Sequence, residues 1–554
     1  MSTLPAYVLS LVATYLTSLL YWFSDQIYAD LLKRDPDHLL LKLHDHVDLA
    51  PLEKACADFH HTSGPGARPT HPVPQLVRAF LVKYLFDWSL REIEWHVRFN
   101  LVVKWFVGYP LFAPGPDHST LDRFDLWVCF HQRRTAFDEV LRQIDAAFPN
   151  ERQSPQIGDT FALQANAAKE SLVRLLRHTC QRLLTALDAA DAPRGAQVRA
   201  QLDTVALFGP PHELGEYRLK PEERAARLQT TVLAALDCAQ QVRAVLDQAS
   251  PLPPQTRAPV SLWLELLDKV IQDDIALTRD EHGRLCGAVE RKDKGSYRLG
   301  SATDPDATYR VHDDQSDFGY NTQVVVSDNF VREIQADTGA QPDAVSIPDV
   351  LRAQQEHHDL TPAKFIYDAA AGTGKTHAQV REVSHGQTQL VAPLVPHEKP
   401  TDRFTPDRFT LSEGDATLTC PNGQTASIAY RSGSGDGRTF RFYAPQCQGC
   451  PLWTQCRTQS EGSRAMRQVF ISDYRADVDA ARAYSLTPEF QADRKRRSRV
   501  ERFVAGLVRY NGARRARRRG LVQADFQAKM NATAFNLKRW MRLLKTPRQR
   551  PAAN

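Results

Sequence analysis

Cysteine is scarce in this chain, nine in 554 residues, and Cys56, Cys129, Cys180, Cys238 and Cys286 are scattered without ligand-like spacing. Isolated thiols of this kind read as small buried residues. A basic region is missing ahead of the uncharged stretch Leu4 to Phe23, which argues against a secretory signal. That stretch is nearly long enough to cross a bilayer, but its wheel is two-sided. Val8, Leu9, Val12, Leu16, Leu19, Leu20 and Phe23 share one side, with Ser10, Thr14, Thr17 and Tyr21 opposite. The pattern predicts an amphipathic packing helix and no membrane partner. Residues 169–294 show helical periodicity and no visible chemistry.

What is present is size, ordinary composition and an uneven charge. A chain of 554 residues holds several domains, and 42% hydrophobic with 24% charged residues is normal for a globular protein. The net charge of +5 hides an asymmetry. Residues 494–554 carry 19 Lys and Arg against Glu501 and Asp525, a net of +17, which leaves −12 on the rest. A basic end on a mildly acidic body implies a polyanionic partner.

The stretch Lys364 to Thr376, KFIYDAAAGTGKT, is the most informative. Phe365, Ile366 and Tyr367 read as a buried strand, and Asp368 stands at its carboxyl end, where α/β sheets gather ligands. Ala369 to Thr376 is one Gly short of a phosphate-binding loop. The next apolar strand, Gln389 to Leu394, ends in Val395-Pro396 with no acid for Mg²⁺. ATP binding through Lys375 therefore stays as an alternative to a metal-binding role for Asp368. Two further acids suit the metal reading. Asp159 follows Ile157-Gly158, and Glu501 lies among Val500, Phe503, Val504, Leu507 and Val508 at helical spacing. Arg497, four residues before Glu501, is placed to orient a carboxylate or grip a phosphate.

Two Asp on strands and a Glu on a later helix resemble the DDE transposases and integrases, and the closer resemblance is to bacterial insertion-sequence transposases. It rests on PDHSTLDRF (116–124), GDTFALQANAA (158–168), GSATDPDA (300–307), FGYNTQVVV (318–326), TGAQPDA (338–344), YDAAAGTGKT (367–376) and RVERF (499–503). The resemblance implies an RNase H-like α/β core and a triad of Asp159, Asp368 and Glu501 holding two Mg²⁺ (or Mn²⁺) ions. It also implies cleavage of a DNA phosphodiester at the element's end and attack of the freed 3′-OH on target DNA, without a covalent enzyme intermediate. Partners are then double-stranded DNA, both transposon ends and target, and a second copy of the chain in the DNA complex. The location would be the bacterial cytoplasm. In the family's Tyr, Arg, Glu, Lys signature, Arg497 and Glu501 fit, whereas Arg494 stands at the Tyr position and Val508 at the Lys position. A DNA-binding descendant that no longer transposes is a further alternative.

Organisation follows in order. Residues 1–62 form an N-terminal helical segment. Residues 63–150 form a helical, helix-turn-helix-like domain, opening on a linker at Ser63 to Pro74. Its helices are expected at Pro74–Asp87, Ser89–Phe106 and His118–Val128, capped by Ser89 and by Asp117 or Ser119. Arg91, Arg98, Lys104 and Arg123 suit DNA contact there; a plain packing domain is the alternative. The core is assigned to 151–168, 295–395 and 470–515, with 169–294 as a helical insertion. Tyr320–Ser327 and Phe330–Ala336 read as a hairpin, followed by a helix at Asp343–Gln355. Asp337 and Asp343 are competing acids in a turn context, where capping is the commoner task.

Residues 396–469 read as a small β insertion. Cys420, Cys447, Cys450 and Cys456 can close a structural Zn²⁺ site, with disulfides as the alternative. Residues 516–554 read as a basic helix and tail. Arg514, Arg515, Arg517, Arg518 and Arg519 beside Tyr510, with Lys538 and Arg539 near Trp540, mark the expected DNA contact.

Overall fold

Val324, Val325 and Val326 are wholly buried, a condition met by a strand inside a sheet covered on both faces. The computed structural model of the protein describes residues 6–62, 71–248, 252–283, 285–312, 315–394, 403–414, 416–433, 435–457 and 467–544. The linker at 63–70, the side chains of Val8, Leu9, Val12 and Leu20, and the basic tip with Lys545, Arg548 and Arg550 lie outside the described residues.

The central sheet contains β1 (Gln156–Gln164), β2 (Thr308–His312), β3 (Gln315–Val326), β4 (Val331–Thr338), β5 (Lys364–Ile366) and β6 (Gln389–Val391). β3 runs antiparallel between β1 and β4, and β2 pairs with the first part of β3. Beyond β1, β5 and β6 run parallel to it, so the order is β2-β3-β1-β5-β6, with β4 also paired to β3. Helices cover both faces. On one, Val350 and Leu351 of helix Ile347–His358 meet Phe365 and Val380. On the other, Val500, Phe503 and Leu507 of helix Arg499–Tyr510 meet Ile157, Phe161 and Val324.

The expected hairpin and helices form, with boundaries moved by local chemistry. The helix expected over Ser89–Phe106 breaks at Asn100, whose Oδ1 accepts from the amides of Val102 and Val103 and starts a second helix. Ser89 forms a capping box with Glu92, and Asp117 caps His118–His131 through the Thr120 amide at 2.7 Å. The helix expected from Asp343 begins at Ile347.

The first helix, Ala6–Arg34, is anchored near its end. Tyr28 donates to the Tyr109 carbonyl, and the Leu111 amide donates to Ser24. Of its expected packing face, the described Leu16, Leu19 and Phe23 are about half exposed. No helix among the described residues is long and apolar enough to cross a membrane.

Two insertions have cores of their own. Between β1 and β2, helices Leu172–Ala190, Pro221–Leu246 and Pro254–Asp274 pack together with the hairpin Ile275–Arg279/Leu285–Glu290. After β6, short strands close around Phe409, Phe440 and Phe442. This unit extends to Ser472 rather than 469, because Arg467–Ser472 pairs with Gly437–Phe442.

The largest departure is the closing helix, Leu521–Leu543. The segment read as a basic helix and tail forms, over this helix, a buried spine with fifteen buried residues. Phe526, Met530, Leu537, Trp540 and Met541 complete the core of the N-terminal bundle, while Ala528 and Ala532 sit in the core beneath β1. Its polar side chains satisfy β4, the edge strand. Asn536 accepts from the Val331 amide at 2.8 Å and donates to the Val331 carbonyl at 2.9 Å. Lys529 donates to Ile334 O, and Asp525 accepts from the Ala336 amide. An open sheet edge is thereby covered and its backbone groups paired.

Asn536→Ala strands both Val331 groups away from water, at a cost of about 1–3 kcal/mol for each. A lower thermal midpoint is expected, and an unchanged midpoint would contradict this account of the edge.

Candidate functional site

The site begins with strand register. Ile157 of β1 lies opposite Ile366 of β5 in parallel, so Asp159 and Asp368 come two residues later on neighbouring strands. The close pairing depends on Gly158. A Cβ there would stand 2.0 Å from Tyr367 Cζ, and the hydroxyl of the buried Tyr367 accepts a hydrogen bond from Gln323 Nε2 at 2.9 Å. Glycine lets the ring lie under β1 and keeps the two acids level.

Each acid is held in the same way. Asp159 Oδ1 accepts from the Thr160 amide at 2.9 Å, and Asp368 Oδ1 accepts from the Ala370 amide at 3.0 Å. The remaining oxygens face one cation: Arg497 Nη2 stands 3.4 Å from Asp159 Oδ2 and 3.6 Å from Asp368 Oδ2. Burial raises the Asp159 carboxyl above its usual range, and Asp368 and Asp343 add to this. The Thr160 amide and Arg497 pull it back. Burial also pushes up the Tyr367 phenol, with Asp159, Asp368 and Asp343 acting in the same sense.

Glu501 is not drawn into this pair. It occupies the exposed side of the first turn of Arg499–Tyr510 and has no hydrogen bond or ion pair among the described residues. Asp343, read as a capping residue, instead accepts from Asn321 Nδ2 at 2.7 Å and faces the site electrostatically. Its TGAQPD context gave no signal of this, because the approach is made across strands. Asp337 lies in β4 opposite Asn321 and accepts from Ser346 Oγ at 2.6 Å.

Hard carboxylate oxygens side by side, one within β1 and one just past the end of β5, are the donor set a divalent cation such as Mg²⁺ takes. Asp159 and Asp368 fit it as a pair, since two acids already share a single positive group. Among the described residues no group of three or more His, Cys, Asp or Glu is arranged to hold a metal ion.

The phosphate-loop alternative meets a loop whose groups are already engaged. Thr373 caps helix Gly374–Val383 through the Thr376 amide, Gly372 lies against the Pro393 carbonyl, and Lys375 reaches Asp436 at 3.4 Å.

The four cysteines Cys420, Cys447, Cys450 and Cys456 line one small cavity with Trp453, Arg457 and Arg467. All four are free thiols. Burial raises the Cys447 and Cys456 thiols, and the neighbouring cysteines push the same way.

The basic residues divide into two groups. Arg494, Arg514, Arg515 and Arg519 are exposed. The backbone of Arg514 and Ala516 bonds Gln164 at the end of β1, and Arg519 Nε donates to Asn166 O. Others of the expected DNA-facing set bind the protein itself. Arg517 pairs with Asp87 and lies over the Tyr84 ring, and Arg518 pairs with Asp122 and Asp125. Lys538 donates to Asn511 Oδ1 at 2.8 Å, its ammonium lowered by burial to about 8, and Arg539 donates to Asn329. In the N-terminal bundle Lys104 is buried and donates to the carbonyls of Leu111 and Ala113, whereas Arg91, Arg98 and Arg123 are exposed.

Two family models match the chain. One, described as Transposase DDE domain, covers residues 419–541 and takes in the four cysteines, Arg497, Glu501, the arginine run and most of the closing helix. The other, described as Transposase domain (DUF772), covers residues 29–125 in the N-terminal bundle. No curated protein and no solved structure matches the chain. Transposase domain models thus match the chain on either side of the Asp159–Asp368 pair, one before it and one after it.

Proposed function

We propose that this chain is a transposase that binds the double-stranded ends of an insertion sequence, cuts a phosphodiester there and joins the 3′-OH to target DNA. The observation that carries the reading is the parallel juxtaposition of Asp159 and Asp368. The antiparallel pairings of β4 with β3 and of β3 with β1, followed by β5 and β6 parallel to β1, support an RNase H-like core. Asp159 and Asp368 would hold Mg²⁺ or Mn²⁺, with Glu501 turning inward from its helix to complete the set. Bound there, two divalent ions supply an activated water and neutralise charge on the attacked phosphate.

The chain's own contribution is position. Backbone amides of Thr160 and Ala370 fix one oxygen of each Asp, which leaves the other to face a cation. Arg494, Arg514, Arg515 and Arg519 supply phosphate contacts alongside. Each chain carries one acidic pair, so the two ends of an element call for a homodimer on DNA. Cys420, Cys447, Cys450 and Cys456 would take a structural Zn²⁺ that braces the β insertion, drawing together from the one cavity that all four line.

Three measurements test the reading. Asp368→Asn should abolish both end cleavage and strand transfer in vitro with Mg²⁺ while end binding stays within a few-fold. Asp337→Asn should keep cleavage, and the reverse pattern would move the site. Replacing Arg514, Arg515 and Arg519 by Ala should weaken DNA binding and flatten its salt dependence, by about 0.9 in log–log slope per lost phosphate contact. An unchanged slope would remove them from the interface. Elemental analysis should find one zinc per chain, lost on replacing Cys450 by Ser, and zinc-free protein would refute that site.

A further inference from the structure

Arg497 is placed unlike a settled salt-bridge arginine. A tight guanidinium–carboxylate pair is usually a two-pronged fork at about 2.7–2.9 Å. Here a single nitrogen, Nη2, serves both Asp159 and Asp368 at 3.4 and 3.6 Å. Its Nε is buried without a hydrogen-bond partner. The residue lies between helices Pro488–Arg496 and Arg499–Tyr510, so its side chain is not locked within one regular turn. The two carboxylates spend their inner oxygens on backbone amides. Only the outer pair is open to a cation, and Arg497 occupies that approach.

We propose that Arg497 is the resident counter-cation of the Asp159–Asp368 pair and sets the site's affinity for divalent ions. With no ion bound it lowers the repulsion between two carboxylates on adjacent strands. For an ion to reach the outer oxygens, the guanidinium has to leave them, and the phosphate of a bound DNA end is the anion that can receive it. Metal entry and DNA binding are therefore coupled through one side chain, and linkage makes that coupling mutual. The inference rests on the metal-dependent reading of the acidic pair.

The test is direct binding of Mn²⁺ to the full-length protein, followed by electron paramagnetic resonance, with and without a duplex of the element's end. Arg497→Gln should bind Mn²⁺ roughly three- to tenfold more tightly than the parent in the absence of DNA, the effect expected of a partly exposed ion pair. Its thermal midpoint in chelator should fall, and saturating Mn²⁺ should restore it. Arg497→Lys, which keeps the charge on a different head group, should retain an affinity near the parent's. End DNA should tighten Mn²⁺ binding to the parent and change Arg497→Gln less. Equal or weaker Mn²⁺ binding by Arg497→Gln overturns the role given to Arg497. Absence of Mn²⁺ binding to every variant with both Asp intact overturns the metal reading itself, and this inference with it.

Discussion

The structure depends on how the free edge of its sheet is closed. β4 has β3 on one side only, and its outward amides and carbonyls need partners once buried. The closing helix provides them from Asn536, Lys529 and Asp525, while its apolar side chains reach into the N-terminal bundle. One helix thus seals the sheet and fastens the two largest parts of the chain to each other. Gln527 extends the same task by holding the Gly512 and Arg515 carbonyls and the Arg517 amide, which fixes the course of the arginine run past the end of β1.

A second constraint follows at the acidic pair. Placing two carboxylates level on neighbouring strands is unfavourable without a cation between them. The fold accepts that cost because Gly158 admits the Tyr367 ring beneath β1 and two backbone amides orient the acids. Arg497 relieves the charge without a close fork. The preorganisation lies in the strands, whereas the counter-charge comes from a side chain between two helices. A rigid pair of acids with a displaceable cation is suited to taking up a metal ion and a phosphate together.

Much of this was legible in the residues. The hydrophobic runs around Val324 and Ile366, the capping signals at Ser89 and Asp117, and the acids at strand positions all respond to local rules of period and hydrogen bonding. Those rules act over a few residues, so they carried over into the fold. The helix break at Asn100 was legible in principle, since an Asn that caps is a local signal, but the apolar spacing on either side masked it. Asp343 and Glu501 were not separable in this way. Which acid faces Asp159 depends on strand and helix orientations set by residues far away in the chain.

The basic end shows where the sequence by itself stops. Its residues determined that this segment would carry a large positive charge and contain a helix. Only the tertiary structure decided which charges remain available to a partner. Arg517 and Arg518 meet Asp87, Asp122 and Asp125 across some four hundred residues of chain, and Lys529 meets Asp525 and a strand carbonyl in the interior. Arg514, Arg515 and Arg519 stay exposed. Charge is a property of each residue alone, but its availability depends on what lies within a few ångströms, and in a chain of this length most of those neighbours are distant in sequence.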